Sequence, residues 1–179
     1  LETERNKLTY DTELESVYLV GDFGVYSNSP FTVYKNCKRT DGEFYISELP
    51  KTVKNHSLTE QGLTFYSGSV DYKFNFTADK DSDVEYVLNT QNIHAVAVRA
   101  YVNGFDCGLI MFSPFKADVS KYIKSGDNNI VLRVYSGNRN LLGPHHHPDG
   151  ECLAVAPHSF GCSADDANSY NFVDFGFCK

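Results

Sequence analysis

Short runs in which apolar and polar residues alternate dominate the chain. A period of two places every second side chain on one face of a strand, so each run predicts a β-strand with one buried face. No window keeps the 3.6-residue period of an amphipathic helix, and only single helical turns are expected, near 119–124 and 164–167. The predicted strands cover 15–20, 43–47, 69–77, 84–88, 94–102, 107–112, 129–135 and 171–177.

Turn residues punctuate these runs and predict how they connect. Asn103-Gly104 separates two runs and favours the positive φ angles of a two-residue hairpin. The triplet Gly126-Asp127-Asn128 introduces a further run. Gly21 to Gly24 similarly predicts a glycine-rich turn after the 15–20 strand. Many short strands between turns predict an all-β fold, an antiparallel β-sandwich.

The composition agrees with a single β-rich domain and argues against two classes of binding partner. The 179 residues include 13 Phe and 12 Tyr, and a chain of this length buries about 70% of its unfolded surface. The net charge is −7 with both signs interspersed, whereas a phosphate-binding face needs clustered Lys and Arg. No apolar stretch approaches the roughly 20 residues of a membrane-spanning helix. We therefore expect neither nucleic acid nor membrane as a partner.

Five cysteines leave at least one thiol unpaired. None lies in a C-x-x-C spacing, which argues against a zinc knuckle or a thioredoxin-type pair. Reduced thiols are the simpler interpretation, and they favour a cytoplasmic setting. If one disulfide forms, Cys152 and Cys162 are the expected pair because both lie in one long loop region.

The segment from residue 94 to 134 carries a more specific pattern. It contains Val102-Asn103-Gly104 with Gly108, then Asp118-Val119-Ser120, and then a G-x-N-x-I-x-L-x-V run from Gly126 to Val134. This order resembles the β-jelly-roll, galactose-binding-like domains attached to large glycoside hydrolases of the family 2 and rhamnosidase-like type. The resemblance implies a non-catalytic accessory jelly roll that packs on the catalytic domain of the same parent chain and can line its substrate cleft.

Two flanking segments extend this resemblance. Residues 61–68, Q-G-L-T-F-Y-S-G, resemble the opening Q-G-x-P-F segment of these domains, with Thr64 where proline is usual. The R-N-L-L-G-P-H-H sequence at 139–146 resembles a loop of a bacterial subset, and 171–176 resembles the closing strand. We therefore divide the chain into leading strands and a linker, 1–57, and a jelly-roll domain, 58–179. The absence of tryptophan departs from the family and favours packing over strong sugar stacking.

The long 139–151 loop supplies most candidate site residues. Arg139 and Asn140 carry groups that can bond backbone or sugar, and His145 and His146 supply polar rings at neutral pH. Tyr66 is an aromatic residue in another loop. These five residues form the predicted ligand-binding or domain-docking set, and carbohydrate stays open as a ligand. A loop longer than a strand crossing needs is often functional.

A structural metal ion is an alternative for the same region. His147 and Asp149, with His158 further along, are candidate ligands because imidazole and carboxylate bind Zn²⁺ and carboxylate binds Ca²⁺. Adjacent residues of an extended chain point in different directions, so a rigid loop with hydrogen-bonded histidines is the simpler interpretation. The aspartates at 79–83 indicate a solvated turn or a weak Ca²⁺ loop.

No catalytic residue is assigned. Glycoside hydrolysis needs two carboxyl groups roughly 5 to 10 Å apart, and the local acidic pairs lie in polar loop sequence. In the enzymes that the chain resembles, the catalytic carboxylates belong to a separate (β/α)₈ barrel, and no such repeat is present. Two alternatives stay open: an autonomous carbohydrate-binding module, and a small metal-dependent enzyme centred on the histidines at 145–147.

Overall fold

The computed structural model describes residues 17–152, 154–160 and 168–177. These residues form thirteen β-strands and two short 3₁₀ turns, Asn140–Leu142 and Pro157–Phe160, and include no α-helix. The predicted all-β class is confirmed. The strands are β1 (Phe23–Ser27), β2 (Thr32–Tyr34), β3 (Cys37–Thr40), β4 (Phe44–Glu48), β5 (Ser69–Ala78), β6 (Val87–Asn89), β7 (Ile93–His94), β8 (Ala97–Val102), β9 (Phe105–Ile110), β10 (Lys116–Asp118), β11 (Gly126–Tyr135), β12 (Tyr170–Phe172) and β13 (Gly176–Phe177).

The largest sheet is antiparallel and has the order β5-β11-β8-β9. β11 pairs with β5 along its whole length, from Gly126 to Tyr135. Its alternation places Leu132 and Val134 on the buried face, beside Val98 and Ala100 of β8. Burying a Val or Leu side chain contributes about 1.5 to 3 kcal/mol, so this face is the main source of stability in the sheet.

The strand pairs β6–β10 and β7–β13 belong to the layer that covers this buried face. Leu58, Leu63 and Phe175 fill the space between, and Phe177 packs edge to face on Tyr72 of β5 at 4.7 Å between ring centroids. Two layers of antiparallel strands around one apolar core make up the predicted sandwich. The jelly-roll subtype stays a prediction.

The Asn103-Gly104 hairpin forms as predicted. Both residues adopt positive φ angles, 52° and 83°, and Val102 pairs with Phe105 across the two-residue turn. Asn103 is further fixed by its side chain, whose amide donates to Asn128 Oδ1 at 2.8 Å. The hairpin therefore joins β8 to β9 at the edge of the large sheet.

A second group of strands brings the leading part of the chain onto the sandwich. β1 pairs with β4, while β3 lies between β2 and β12 and so joins residues 38–40 to 170–172. Phe172 of β12 is fully buried and packs edge to face on Phe44 and Phe65. Residues before and after position 57 thus share one set of contacts. The division of the chain into 1–57 and 58–179 stays a prediction.

Several predicted strand positions need correction. Residues 17–20 of the predicted 15–20 strand form no strand, and Val17, Leu19 and Val20 are exposed, because no neighbouring strand in the described chain pairs with them. The strand begins instead at Phe23, where a glycine-rich turn was expected. The 94–102 and 171–177 runs are each interrupted. Residues 119–124 form a hydrogen-bonded turn, and the turn expected at 164–167 lies outside the described residues.

The two edges of the large sheet are β5 and β9. On β5 the exposed positions alternate with buried ones and carry Asp71, Lys73, Asn75 and Thr77. Asp71 forms a bidentate pair with Arg133 of β11, with N–O distances of 2.7 and 2.8 Å. The outer face of this edge is therefore polar and charged. Among the described residues no helix is long and apolar enough to cross a membrane.

Candidate functional site

The 139–151 loop is bound to the sandwich through its backbone. His145 and Asn171 exchange two N–H to carbonyl bonds, at 3.1 and 2.8 Å, which continue the pairing of β12. The Asn171 side-chain amide also donates to the carbonyl of His147 at 2.9 Å. A single antiparallel bridge at His145 therefore anchors the loop beside β12.

Arg139 and Glu151 lie at the two ends of this loop and form a nearly buried ion pair. Arg139 Nε donates to Glu151 Oε1, Nη2 donates to Oε2 at 2.9 Å, and Nη1 donates to the carbonyl of Gly143 at 2.6 Å. Only 11% and 9% of the two side chains are exposed. Burial raises the pKa of Glu151, and the hydrogen bonds from Arg139 oppose that rise. The pair satisfies the arginine from inside the loop, so its guanidinium is not presented to a ligand.

His145 is the most buried residue of the predicted set. Its ring is 0% exposed and packs edge to face on Phe160 at 4.8 Å. Nδ1 lies 3.1 Å from Glu151 Oε1, but neither ring nitrogen has a well-aligned hydrogen-bond partner among the described residues. Burial, followed by the positive charge of Arg139, lowers the pKa of His145 to about 4. His145 is therefore neutral at pH 7, and its contact with Glu151 is not an ion pair there.

Asn140 also faces inward. Its side chain is 1% exposed, donates to the carbonyl of Val173 at 2.9 Å and accepts from the Val173 N–H at 2.9 Å. This reciprocal pair satisfies a backbone segment that has no strand partner at that point. His146 is half-buried, with its ring 5.2 Å from Tyr170. The loop motif is thus largely used for packing, and its outer face is left for any contact with a partner.

Tyr66, the fifth predicted residue, is 36% exposed. Its hydroxyl donates to the carbonyl of Ser69 at 3.0 Å, and its carbonyl accepts from Ser136 Oγ at 3.2 Å. Within the described part of the chain it makes no hydrogen bond or ring contact with the other four candidates. A sugar-binding or docking role for the set stays a prediction.

The residues predicted as metal ligands form hydrogen bonds and an ion pair with neighbouring protein groups. Asp149 pairs with Lys35 at 2.7 Å, and this contact lowers the pKa of the carboxyl group. His147 Nδ1 accepts from the Asp149 N–H at 3.1 Å. His158 belongs to the second 3₁₀ turn, and its side chain lies outside what the structure describes. Among the described residues no group of three or more His, Cys, Asp or Glu side chains is arranged to hold a metal ion. The metal site stays a prediction.

Three cysteines are free thiols. Cys37 is buried, and burial raises its pKa; Cys107 is half-buried and its pKa is raised by the same cause. Cys152 is also free, so the conditional pairing with Cys162 is not formed. Cys162 and Cys178 lie outside the described residues. Raised pKa values keep Cys37 and Cys107 in the unreactive thiol form at neutral pH.

Sequence reasoning missed a groove of about 900 Å³ beside β3. We call it the β3–β13 groove, because β3, residues 56–60, the β7 region, Phe115 and β13 line it. Lys38 Nζ lies 2.5 Å from Glu60 Oε1 and 3.9 Å from Asp174 Oδ2. His56 Nδ1 lies 3.8 Å from Glu60 Oε2. The topology thus gathers four ionisable side chains from three segments that are far apart in sequence.

Phe115 forms an aromatic wall of this groove, and its backbone is strained. Its backbone has a φ of 56°, which is unusual for a bulky residue, and its side chain is 40% exposed. Thr90 holds this conformation with two bonds to the Phe115 carbonyl, from its N–H at 2.9 Å and from its hydroxyl at 3.1 Å. The alternation pattern gave no signal for the groove, because Phe115 is one of many aromatic residues between the predicted strands.

The fold has a counterpart among solved structures. A rhamnosidase from Novosphingobium sp. PP1Y overlays with a TM-score of 0.51 at 15% identity, over 94% of this chain and 16% of that one. A β-glucuronidase from Ruminococcus gnavus overlays more loosely, with a TM-score of 0.40 at 13% identity, over 91% of this chain and 28% of that one. The likeness to the rhamnosidase concerns the fold, and the chain spans about a sixth of its length. No protein-family model matches the sequence, and no curated protein matches it.

Proposed function

We propose that this chain is a non-catalytic accessory domain of a larger glycoside hydrolase and packs on the catalytic domain of the same parent protein. The observation that carries the proposal is the overlay with the rhamnosidase, which takes in 94% of this chain but only 16% of the enzyme. A sandwich of this size is a module within such a protein. The jelly-roll pattern of 94–134 supports the same proposal.

An exposed apolar surface supports a docking role. Leu141 and Leu142 of the first 3₁₀ turn are 45% and 50% exposed, and Tyr45 and Ile46 of β4 are 51% and 53% exposed. With Leu19 these residues line one hollow of about 420 Å³. Contiguous apolar surface of this kind is typical of interaction sites. The outer face of the 139–151 loop would then contact the neighbouring domain, while Arg139, Asn140 and His145 hold the loop in shape from within.

The docking proposal is tested in the parent protein. Replacing Leu141 and Leu142 by Asp should lower the thermal midpoint or activity of the full-length enzyme and leave the far-ultraviolet spectrum of the 179-residue chain unchanged. Leu109→Asp is the matched control, because Leu109 is 48% exposed on β9 and lies outside this surface. Equal effects of both changes, or a flanking coding sequence without a catalytic barrel, would refute the proposal.

The non-catalytic part has its own test. The 179-residue chain should not turn over nitrophenyl glycosides. Glu60 and Asp174 are the acidic pair that shares Lys38 in the β3–β13 groove, so they are the residues to substitute if turnover appears. Turnover that Glu60→Gln or Asp174→Asn abolishes would show that the domain is itself an enzyme.

A further inference from the structure

We propose that two copies of this chain associate through the open side of β5, in an antiparallel pair that sets Asp71 of each copy opposite Lys73 of the other. The pair would join two four-stranded sheets into one continuous sheet. This association goes beyond the docking role and does not depend on it, because β5 contributes no residue to the apolar docking surface.

The open side of β5 carries a row of backbone groups that can accept another strand. The Ser136 N–H donates to the Gly68 carbonyl at 3.0 Å, which extends the β5–β11 ladder by one hydrogen-bonded pair. Such pairs alternate along an antiparallel ladder, so the even-numbered residues of β5 bond β11. The odd-numbered residues from Asp71 to Thr77 point their N–H and carbonyl groups to the other side, where no backbone group of the described chain bonds them. β5 is therefore available for strand addition.

The side chains of β5 are complementary to a second copy of the same strand. Asp71 and Lys73 are both exposed on the outer face of the sheet. In an antiparallel pair of identical strands, placing Asp71 opposite Lys73 also places Lys73 opposite Asp71, so one register forms two opposite-charge pairs. Each such pair contributes about 0.2 to 1 kcal/mol. Both residues are odd-numbered, so these positions also exchange the backbone hydrogen bonds.

The charges select this register over its neighbours. Sliding one strand by two residues restores the backbone hydrogen bonds, because the odd-numbered residues again lie opposite one another. In one direction the slide sets Asp71 opposite Asp71, and in the other direction it sets Lys73 opposite Lys73. Like charges directly opposite one another are destabilising. The antiparallel pair is therefore specified by its own sequence.

Two features of the single chain are improved by this pairing. Asp71 already pairs with Arg133 at 2.7 Å, whereas Lys73 forms no ion pair within the described residues and gains one in the dimer. On the inner face the same register sets Val70 opposite Phe74, and both are only half-buried in the single chain. These positions form the non-hydrogen-bonded pairs, in which side chains approach most closely. The contact is two-fold symmetric, so it closes at two copies.

The test is sedimentation equilibrium of the 179-residue chain at concentrations up to about 1 mM. Physiological ionic strength, with a Debye length of about 8 Å, screens the repulsion between two chains of net charge −7. The wild type should form reversible dimers. Lys73→Asp and Asp71→Lys should each weaken dimerisation at least about tenfold, because each sets like charges opposite one another. An equimolar mixture of the two variants should restore dimers, since both cross-strand pairs then join an acid to a base.

The matched control is Lys116→Asp, which makes the same charge change on β10 and should leave dimerisation unaltered. Asp71→Lys also loses the pair with Arg133, so its far-ultraviolet spectrum must match the wild type. Lys73→Pro is a second variant that does not depend on charge: it removes an N–H that points away from β11 and should also prevent dimers.

A wild-type chain that stays monomeric up to about 1 mM would overturn the proposal. So would dimers that survive both Lys73→Asp and Lys73→Pro, or a mixture of well-folded charge variants that stays monomeric. Dimers lost on replacing Leu141 and Leu142 by Asp, but kept in Lys73→Asp, would place the contact on the apolar surface instead. Docking is judged separately, by the activity and thermal midpoint of the parent enzyme.

Discussion

The 139–151 loop and the β3–β13 groove both gather charged residues and histidines, but they use them in opposite ways. In the loop, the guanidinium of Arg139 donates hydrogen bonds to Glu151 and to the Gly143 carbonyl. His145, beside them, is fully buried. In the groove, Lys38 faces two carboxylates beside open space. The comparison teaches that residues of a conspicuous sequence motif can be used for packing, whereas a charged groove can be assembled from residues that form no motif.

The largest effect should come from breaking the Arg139–Glu151 pair. Arg139→Met leaves the Glu151 carboxylate without its cation in a nearly buried place, so we expect a loss of about 3 to 5 kcal/mol in the free energy of unfolding. Urea denaturation measures it. Arg99→Met removes a comparable but exposed pair with Asp106 and should cause far less change. Similar losses for the two variants would remove the contrast between the buried loop and the surface.

Asn140→Ala should have the next largest effect. It removes both Asn140 hydrogen bonds to the Val173 backbone, so the N–H loses its partner and the carbonyl keeps the Thr59 hydroxyl at 3.0 Å; we expect a loss of about 2 kcal/mol. Asn75→Ala on the exposed face of β5 is the matched control. Denaturation midpoints that coincide for the two variants would show that the loop is not held at Val173.

Acidification should weaken the loop through His145. Its pKa is about 4 in the folded chain and 6.5 in the unfolded one, so below pH 6.5 the unfolded state takes up the proton first and stability falls. From pH 7 to 5 we expect this group to contribute a loss of about 1 to 2 kcal/mol. Glu151 acts in the opposite sense just above pH 4.5, because its pKa is raised on folding. His145→Gln should flatten the stability profile from pH 7 to 5, and an unchanged slope would contradict the assignment.

The smallest effect on stability should come from the groove. Glu60→Gln keeps a hydrogen-bond acceptor beside Lys38, and Asp174 remains as its counter-charge, so the free energy of unfolding should fall by only about 1 kcal/mol. A calorimetric scan of this variant against wild type measures the difference. A loss as large as that of Asn140→Ala would mean that the fold depends on the charges of the groove.

The sequence predicted the large sheet well, because β5, β8 and β11 alternate over six to ten residues with one side buried. It missed the β2–β3 hairpin, where Lys38 and Arg39 interrupt the pattern. These side chains find partners that lie far along the chain: Glu60 for Lys38, and Asn171 for Arg39 at 2.6 Å. Local periodicity cannot show such pairing.

The burial of the candidate site residues could not be predicted for a related reason. The 139–151 loop was singled out because its polar and ionisable residues follow one another in sequence. The sequence does not show which of these side chains are buried. His145 is sealed by Phe160 and β12, which only the tertiary fold brings to it. The groove depends on three segments that meet only after folding, and the strained backbone of Phe115 is set by Thr90.

The charged edge of β5 has a consequence for how the chain behaves when concentrated. A bare strand edge can recruit identical strands and start fibre growth. Parallel, in-register stacking of β5 would set Asp71 against Asp71 and Lys73 against Lys73, and like charges directly opposite one another are destabilising. Among the described residues β5 is an edge strand, and its charge pattern therefore discourages self-templated growth along that edge.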